Sequence, residues 1–409
     1  MRQLRFAAFV SVVALATAGC GLGTPSESAG PGASAGGSTV PAGALTSLPD
    51  AEDELNLVIW VGYAEDGSTY PEFDWVTAFE DETGCQVNTI DGQDSSNMVS
   101  LMATGQYDGV SASGDATRRM IAAGTVAPVN VSLIPNYGGV FDKLKNTPYN
   151  SVDGVPYGVP QGFGANVLLY NTGTFSETPT SWDSVWEADS PAAGKISMYN
   201  SSISIADAAL RLTHTTPDLG ISNPYQLSQE QFDAAVALLQ DQHEFIGEYW
   251  NYSTDQITSF SSGAMLAGSS WQYQYNTIKA EDENAPVAVT VPDEGSTGWS
   301  DTWMIAKDAA HPGCMYRWMN WALEPETNAM STIYFGEAPA SQAACDAAET
   351  ILDGAYAGHC ETFHATDEAY LSKIRFWQTP QADCNDDDDA TTCTDIDAWI
   401  QAWTEITGG

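Results

Sequence analysis

Short apolar segments alternate with amphipathic segments along this chain, and that alternation limits its fold more than any other feature. Residues 55–60 predict a buried strand, residues 70–83 a helix that ends at Gly84, and residues 86–90 a second strand. The pattern continues with a helix near residues 97–104, a strand near 109–112 and a helix over 116–123. Strands separated by helices of this length indicate an α/β fold with a largely parallel sheet.

A second α/β unit is predicted to start at residues 165–170 and to run through 287–291. The Gly- and Pro-rich residues 154–164 precede it, and we expect them, together with residues 292–298, to cross between two lobes. Ligands of open α/β sheets bind beyond the carboxyl ends of the strands. The expected binding site is therefore a cleft between the lobes.

The N-terminus has the features of an export signal. Arg2 and Arg5 precede an apolar run over residues 6–16, which ends in small residues before Cys20. The run is shorter than the roughly 20 residues that a membrane-spanning helix needs. Small residues followed by Cys resemble a bacterial lipobox, which implies a lipid on Cys20; the alternative is an ordinary secretory signal whose cleavage removes Cys20. We therefore expect a signal peptide at residues 1–20.

Residues 21–54 consist mainly of Gly, Ser, Pro, Ala and Thr. Such a composition buries too little apolar surface to offset the entropy of ordering the chain. The segment is predicted to be a disordered tether, which would hold the folded protein to a membrane through Cys20.

The chain is strongly acidic, with 13 Lys and Arg against 54 Asp and Glu and a formal net charge of -41. A field of this sign repels nucleic acids and anionic substrates and attracts cations. The acidity has an alternative explanation, which is adaptation of the surface to a salty medium. Nucleic acid is excluded as a partner under either explanation.

Seven cysteines are present, and removal of Cys20 from the count leaves six. An even number in an exported protein favours three disulfides. Six cysteines allow 15 pairings. We favour two short local loops and one long-range bond, namely Cys345 with Cys360, Cys384 with Cys393, and Cys85 with Cys314.

Motifs of the common catalytic sites are missing from the sequence, including the G-x-S-x-G elbow, H-E-x-x-H and the phosphate-binding G-x-x-x-x-G-K-[ST]. His359, Cys360 and His364 lie close together, but an exposed loop is favoured over a metal site because Cys360 is expected to be oxidised. The acidic residues 386–389 match no Ca²⁺ loop spacing and favour a solvated turn. We expect no catalytic residue, no cofactor and no metal.

Aromatic residues stand beside acids near the predicted strand ends. The set is Trp60, Tyr63, Trp271, Tyr273, Trp299 and Asp301. Aromatic faces attract ammonium groups and cover their methylenes, and a carboxylate neutralises their charge. This combination suits a polyamine. The alternative for any one Trp is ordinary core packing, since the chain has 13 of them.

Several short motifs, in order along the chain, resemble the periplasmic spermidine/putrescine-binding proteins of ABC importers. They are residues 57–63 (LVIWVGY), 82–84 (ETG), 107–110 (YDGV), 181–186 (SWDSVW), 298–302 (GWSDT) and 335–341 (FGEAPAS). The similarity runs from about residue 55 to the C-terminus. It implies a two-lobed periplasmic-binding-protein fold of type II. We assign residues 55–162 and 300–345 to lobe 1, and residues 163–299 and 346–409 to lobe 2.

The resemblance also implies which residues line the ligand pocket. These are Trp60, Tyr63, Ser113, Trp271, Trp299, Asp301 and Gln378, with Asp301 gripping an ammonium group. This chain departs from the family at four further pocket positions. Ser201 and Ser204 stand where the family has acids, and Asp115 and Glu337 replace tyrosines. We expect Asp115 or Glu337 to take the distal ammonium of a diamine.

The sequence as a whole predicts the extracellular binding component of an ABC importer, which captures a polyamine as a monomer, closes by hinge motion and presents the closed form to a membrane permease. Three alternatives stay open: another cationic or zwitterionic solute or a metal complex in the same cleft, a carbohydrate-binding surface protein, and an extracellular hydrolase. A carbohydrate binder would need stacking aromatics with no desolvated carboxylate opposite them. Trp299 and Asp301 together favour the cation.

Overall fold

A computed structural model describes residues 40–49, 52–383 and 392–408. The strands in chain order are β1 (Glu54–Ile59), β2 (Gln86–Asp91), β3 (Gly109–Ala112), β4 (Ser151–Val152), β5 (Val155–Pro156), β6 (Val159–Asn171), β7 (Ile196–Tyr199), β8 (Ile246–Trp250), β9 (Ala267–Trp271), β10 (Val287–Thr290), β11 (Ser296–Ile305), β12 (Ala338–Pro339) and β13 (Ile374–Phe376). The helices are α1 (Val76–Thr83), α2 (Ser95–Met102), α3 (Gly114–Ala123), α4 (Asp183–Trp186), α5 (Ser204–Thr215), α6 (Gln229–His243), α7 (Ser253–Ser261), α8 (Gln272–Glu281), α9 (Pro312–Ala322), α10 (Pro325–Phe335), α11 (Gln342–Ala348), α12 (His359–Thr362), α13 (Glu368–Leu371) and α14 (Ile396–Thr407).

The first predicted strands lie within one residue of their expected positions, but α1 begins at Val76 rather than at residue 70. The cause is local hydrogen bonding. The Phe73 amide donates to the Tyr70 carbonyl in a turn, and the Asp74 carboxylate accepts from the Thr77 amide in the first turn of the helix. A short acceptor at that position starts a helix by pairing an otherwise free N–H group. The predicted end at Gly84 is confirmed, with φ 76°.

The sheet has the order β2-β1-β3-β11-β6-β9-β7-β8. Its outer pairs are parallel at both ends, as in β1 with β2 and β7 with β8, whereas β11 and β6 run antiparallel to each other in the middle. Both central strands are long. The first half of β6 pairs with β11, and its second half pairs with β9 and β10.

Each half of this sheet carries one large apolar core, and these two cores form the two lobes. The first contains Leu57, Trp303 and Trp318, and the second contains Ile196 and Trp399. The predicted two-lobed α/β fold is confirmed. β6 and β11 overlap the two segments that were expected to cross between lobes.

The exact lobe boundaries stay a prediction. Residues 346–409 were assigned to lobe 2, but Ala348 and Ala365 pack in the first core. The Cys345–Cys360 disulfide joins two of the segments in this region. Packing of small side chains against lobe 1 is a tertiary contact that no local pattern reveals.

The predicted tether at residues 21–54 is in part folded onto the protein. The Leu45 carbonyl accepts from the Asn130 side chain at 2.9 Å, and the Pro49 carbonyl accepts from Arg317 at 2.9 Å. Leu45 and Pro49 therefore contact the folded protein, although the tether was expected to extend to residue 54. The signal peptide, Cys20 and the rest of the tether lie outside the described residues. Nowhere in the described ranges is a helix long and apolar enough to span a bilayer.

Two of the favoured disulfides are confirmed, Cys85–Cys314 and Cys345–Cys360. For the third expected bond, Cys384 lies outside the described part of the chain, as does the acidic tract at 386–389. The two observed bonds differ in span, since they join residues 229 and 15 positions apart.

We expect the long-range disulfide to contribute more stability than the short one. In the chain-entropy account, loops of these lengths restrict the unfolded chain by about 5 and about 3 kcal/mol. The paired variant Cys85→Ser with Cys314→Ser should unfold at lower urea concentration than Cys345→Ser with Cys360→Ser. Urea unfolding followed by tryptophan fluorescence measures the two midpoints, and an equal or reversed order would contradict the entropic account.

Candidate functional site

A cavity of about 170 Å³ lies between the two large cores. Its walls are dominated by aromatic rings, which are Trp60, Tyr199, Tyr252, Trp271, Trp299, Phe335 and Trp377. Trp60 packs against the first core, whereas Trp271, Trp299 and Trp377 pack with the second. Ligand in this cavity would touch both lobes at once.

The cavity opens outward into a wider mouth of about 730 Å³. The two spaces share six lining residues, which are Val61, Tyr252, Ser253, Trp271, Trp299 and Phe335. Val61 and Tyr252 are 67% and 60% exposed, which is unusual for large apolar side chains. Exposed apolar surface that converges on one opening is typical of a ligand entrance.

The aromatic walls are held by contacts among the rings. Trp299 meets Trp271 and Phe335 edge-on, with ring centroids 5.9 Å apart in each pair. The indole N–H of Trp271 donates to Asn166 Oδ1 at 3.0 Å. Tyr199 stacks parallel to Trp377 with an interplanar angle of 2°. Rings fixed in this way present their faces to a ligand at little entropic cost.

Asp301 places a carboxylate in the wall of this cavity, although its side chain is only 2% exposed. It lies on β11, where alternation of the pleat puts it on the same face as Trp299. Its Oδ1 accepts from the Ser113 hydroxyl at 2.5 Å, and its Oδ2 accepts from the Tyr63 hydroxyl at 2.7 Å. Burial raises the pKa of Asp301 to about 6. Within the described ranges, no Lys, Arg or His side chain is paired with it.

Behind Asp301 lies a second carboxyl group, Glu337. The Tyr63 hydroxyl is 2.9 Å from Glu337 Oε2, so one phenol touches two carboxyl groups. A phenol has one proton to donate. Only one of the two carboxyls can therefore accept from Tyr63 as an anion, and the other must be protonated and donate to the phenol oxygen. Burial and the charge of Asp301 raise the pKa of Glu337 well above its usual value, which favours Glu337 as the neutral member.

Local backbone geometry puts Glu337 in this position. Gly336 ends α10 in the left-handed conformation with φ 86°, so the next residue leaves the helix toward β12. β12 pairs with β6 beside Gly162. A Cβ atom at Gly162 would lie 2.3 Å from the Glu337 carboxyl carbon, so only glycine leaves room for that group.

Asp115 lies in the first turn of α3, two residues after Ser113. Its Oδ1 accepts from the Ser95 hydroxyl at 2.9 Å, and Ser95 itself lines the cavity. Burial raises the pKa of Asp115. The N-terminus of α3 also presents Ser113, whose hydroxyl binds Asp301 instead of capping the helix.

The structure brings only some of the residues predicted for the pocket into the cavity wall. Those that line it are Trp60, Ser113, Trp271, Trp299 and Asp301. Tyr63 and Asp115 lie behind that wall and bind Asp301 and Ser95, which belong to it. Glu337 lies behind Tyr63 and binds it.

The remaining predicted residues lie elsewhere. Ser204 starts α5 and donates to the Tyr199 carbonyl at 3.3 Å, and Ser201 Oγ accepts from the Ile203 amide in the turn before α5. Gln378 accepts from Asn223 and lines a separate cavity with Arg375. As positions in the wall of this cavity, Ser201, Ser204 and Gln378 are not supported.

Sequence reasoning missed Tyr199, Phe335 and Trp377. Tyr199 is the last residue of β7, and Trp377 directly follows β13. Both therefore carry the signal that identified Trp60, an aromatic residue at the end of a strand. Phe335 is the last residue of α10 and carries no such signal.

A two-lobed α/β protein that encloses a buried carboxylate in an aromatic cleft is a solute-binding protein of the periplasmic type. This chain belongs to the family of bacterial extracellular solute-binding proteins, whose model matches residues 74–357. Proteins of this family are the substrate-binding components of ABC transporters and are not enzymes.

Related sequences agree with this assignment. A putrescine/agmatine-binding protein of Pseudomonas aeruginosa is 24% identical over 332 residues, covering 77% of this chain and 85% of the relative. A putrescine-binding periplasmic protein of Escherichia coli is 26% identical over 294 residues, covering 68% and 77%. The resemblance to polyamine-binding proteins that the motifs indicated is thus confirmed.

Solved structures show the same fold. A spermidine/putrescine substrate-binding protein of Streptococcus pneumoniae superposes with a TM-score of 0.64 at 18% identity, covering 87% of this chain and 97% of that one. A lipoprotein of Treponema pallidum gives a TM-score of 0.62 at 20% identity, covering 87% and 100%.

Tyr63→Phe should destabilise the protein. It leaves two buried carboxyl groups without their shared partner, and each buried polar group that loses its partner costs about 1 to 3 kcal/mol. Tyr199→Phe is the matched control, because it removes a tyrosine hydroxyl from the cavity wall and leaves the Tyr63 network in place. Thermal unfolding should show a clearly lower Tm for Tyr63→Phe alone, and equal Tm values would show that the network does not contribute to stability.

Proposed function

We propose that this protein captures a polyamine of the putrescine or spermidine type outside the cell and delivers it to an ABC permease. The observation that carries the proposal is the Asp301 carboxylate, which is buried in the wall of an aromatic cavity and has no cationic partner in the described chain. A buried carboxylate without a counter-charge is costly. A ligand ammonium group would supply that charge, and the rings would cover the ligand's methylenes.

The rest of the cavity supports a cation over a neutral solute. Its wall holds no Lys, Arg or His among the described residues. The net charge of -41 draws cations toward the cleft. A putrescine/agmatine-binding protein and a spermidine/putrescine-binding protein align with 77% and 68% of this chain. A carbohydrate would leave the Asp301 charge uncompensated.

For delivery, we propose that the protein acts as a monomer held at the membrane by a lipid on Cys20. Ala18 and Gly19 before Cys20 support the anchor. The permease would then meet the closed form of the two lobes.

Asp301→Asn should weaken putrescine binding. Loss of one partner of a buried charge pair costs about 2 to 5 kcal/mol, which is at least about thirtyfold in affinity. Calorimetric titration measures the change, and native mass spectrometry of protein purified without added ligand identifies a retained amine by its mass. Asp241→Asn is the control, because it removes the same charge from an exposed position on α6. Equal affinities of Asp301→Asn and wild type would remove Asp301 from the site.

Asp115 is the candidate for the distal ammonium group of a diamine. It lies behind Ser95 at the cavity wall, whereas Glu337 is screened from the cavity by Tyr63. Asp115→Asn should therefore reduce affinity for putrescine by at least about tenfold more than for a monoamine of equal length, since only the diamine has a second charge to pair. Titrations of both amines give the ratio. Equal losses for the two amines would show that Asp115 does not contact the second charge.

A further inference from the structure

We propose that Glu337 is a specificity-determining residue that loses a proton when a positively charged ligand binds. In the empty protein its carboxyl group is protonated, and on binding of a cationic ligand at Asp301 it releases that proton to solvent. The inference rests on the proposed function, because it needs a cation at Asp301. It adds a role for an acid that does not itself reach the ligand.

The argument begins with the count of protons in the empty site. Asp301 Oδ2 and Glu337 Oε2 lie 2.7 and 2.9 Å from the same Tyr63 hydroxyl. One phenol proton cannot serve two carboxylates, so the site holds one additional proton on a carboxyl group. Neighbouring carboxyl groups in other proteins share a proton in the same way, because two adjacent negative charges repel each other.

Hydrogen bonding decides which carboxyl group holds the proton. Asp301 has two donors, Ser113 and Tyr63, so its charge is solvated by the protein. Glu337 has only Tyr63, and its other oxygen, Oε1, is buried with no hydrogen-bond partner in the described chain. A carboxylate at Glu337 would leave that oxygen charged and without a hydrogen-bond donor. The proton therefore resides on Glu337, which donates it to the phenol oxygen.

Ligand binding changes this balance through Tyr63. An ammonium group that donates to Asp301 Oδ2 replaces the Tyr63 proton there. The phenol can then turn its proton toward Glu337 Oε2, and Glu337 no longer needs its own proton to bind the phenol. The step is balanced: the Glu337 carboxyl O–H bond breaks, its proton goes to solvent, and the carboxylate accepts from Tyr63.

Other titratable groups around Glu337 do not provide the proton above neutral pH. Tyr63 follows β1, and its pKa is raised by burial. His359 of α12 donates from Nε2 to the Glu337 carbonyl at 2.8 Å, and burial lowers its pKa to about 4, so it is already neutral. β6 presents only Gly162 and Phe163 beside β12. Burial raises the pKa of Asp301 on β11 to about 6, which is below neutral pH.

The consequence is discrimination by charge. A cation at Asp301 is met by a second negative charge just behind it, which strengthens the attraction. A neutral hydroxyl-bearing solute has no positive charge to stabilise a Glu337 carboxylate. Glu337 would therefore stay protonated when such a solute binds. Glu337 therefore favours amines over neutral donors of the same shape.

The test is calorimetric titration of putrescine at pH 7.5 in two buffers of different ionisation enthalpy, which counts the protons released on binding. Wild type should release close to one proton per ligand, and Glu337→Gln should release close to none while still binding putrescine. The affinity of wild type for putrescine should rise by up to tenfold per pH unit between pH 7 and 8, because release of one proton on binding changes the binding constant tenfold per pH unit. The affinity of Glu337→Gln should not change over this range. Glu281→Gln is the control, since it removes the same charge from the exposed end of α8.

The outcomes separate the two proposals. Binding with equal proton release in wild type and Glu337→Gln overturns the role of Glu337 and leaves the proposed function intact. No binding of putrescine by wild type overturns the proposed function, and this inference falls with it. Should Glu337→Gln fail to fold, infrared difference spectra of wild type decide the question. They should show the loss of a protonated-carboxyl C=O band on binding, and an unchanged band overturns the inference.

Discussion

The binding site depends on one constraint, the burial of a charge at Asp301. An anion that is 2% exposed is tolerated only if donors reach it. Ser113 and Tyr63 supply two of them, and they come from segments 188 and 238 residues away along the chain. The first lobe thus provides donors for a carboxylate on β11, a strand that lies in the middle of the sheet. A cationic ligand would add the counter-charge that these donors do not supply. Ligand capture and stabilisation of the buried charge therefore depend on the same carboxylate.

Close backbone approach makes this arrangement possible. Gly162 leaves room for the Glu337 carboxyl, and a Cβ atom at Gly114 would lie 2.0 Å from the Trp377 carbonyl oxygen. Without those approaches the second acid and the Trp377 segment could not reach the site. Two acids and a phenol can share this space because one acid stays neutral. The fold therefore sets the charge of the site as well as its shape.

Much of the fold was accessible from local patterns. β1, β2 and β3 follow from short apolar runs, and the end of α1 follows from Gly84, because burial and the left-handed glycine cap act over a few residues. The start of α1 was misplaced because the Asp74 carboxylate accepts a hydrogen bond from the Thr77 amide, which overrides helical periodicity. Residues 40–49 looked like a tether by composition, yet Leu45 binds Asn130. Composition reports average burial and does not register a single long-range hydrogen bond.

The sequence by itself determined the α/β class and the chemical character of the site, aromatic residues with acids at strand ends. These follow from periodicity and from residue chemistry, which are properties of the chain alone. The Cys85–Cys314 disulfide was a preference among 15 pairings, and the fold confirms it. Tertiary structure decided the role of each acid. Asp301 faces the cavity, Glu337 lies behind Tyr63, and the predicted serines lie outside the wall. The physical reason is that a side chain's protonation and its access to a ligand are set by neighbours hundreds of residues away, and only the folded chain brings those neighbours together.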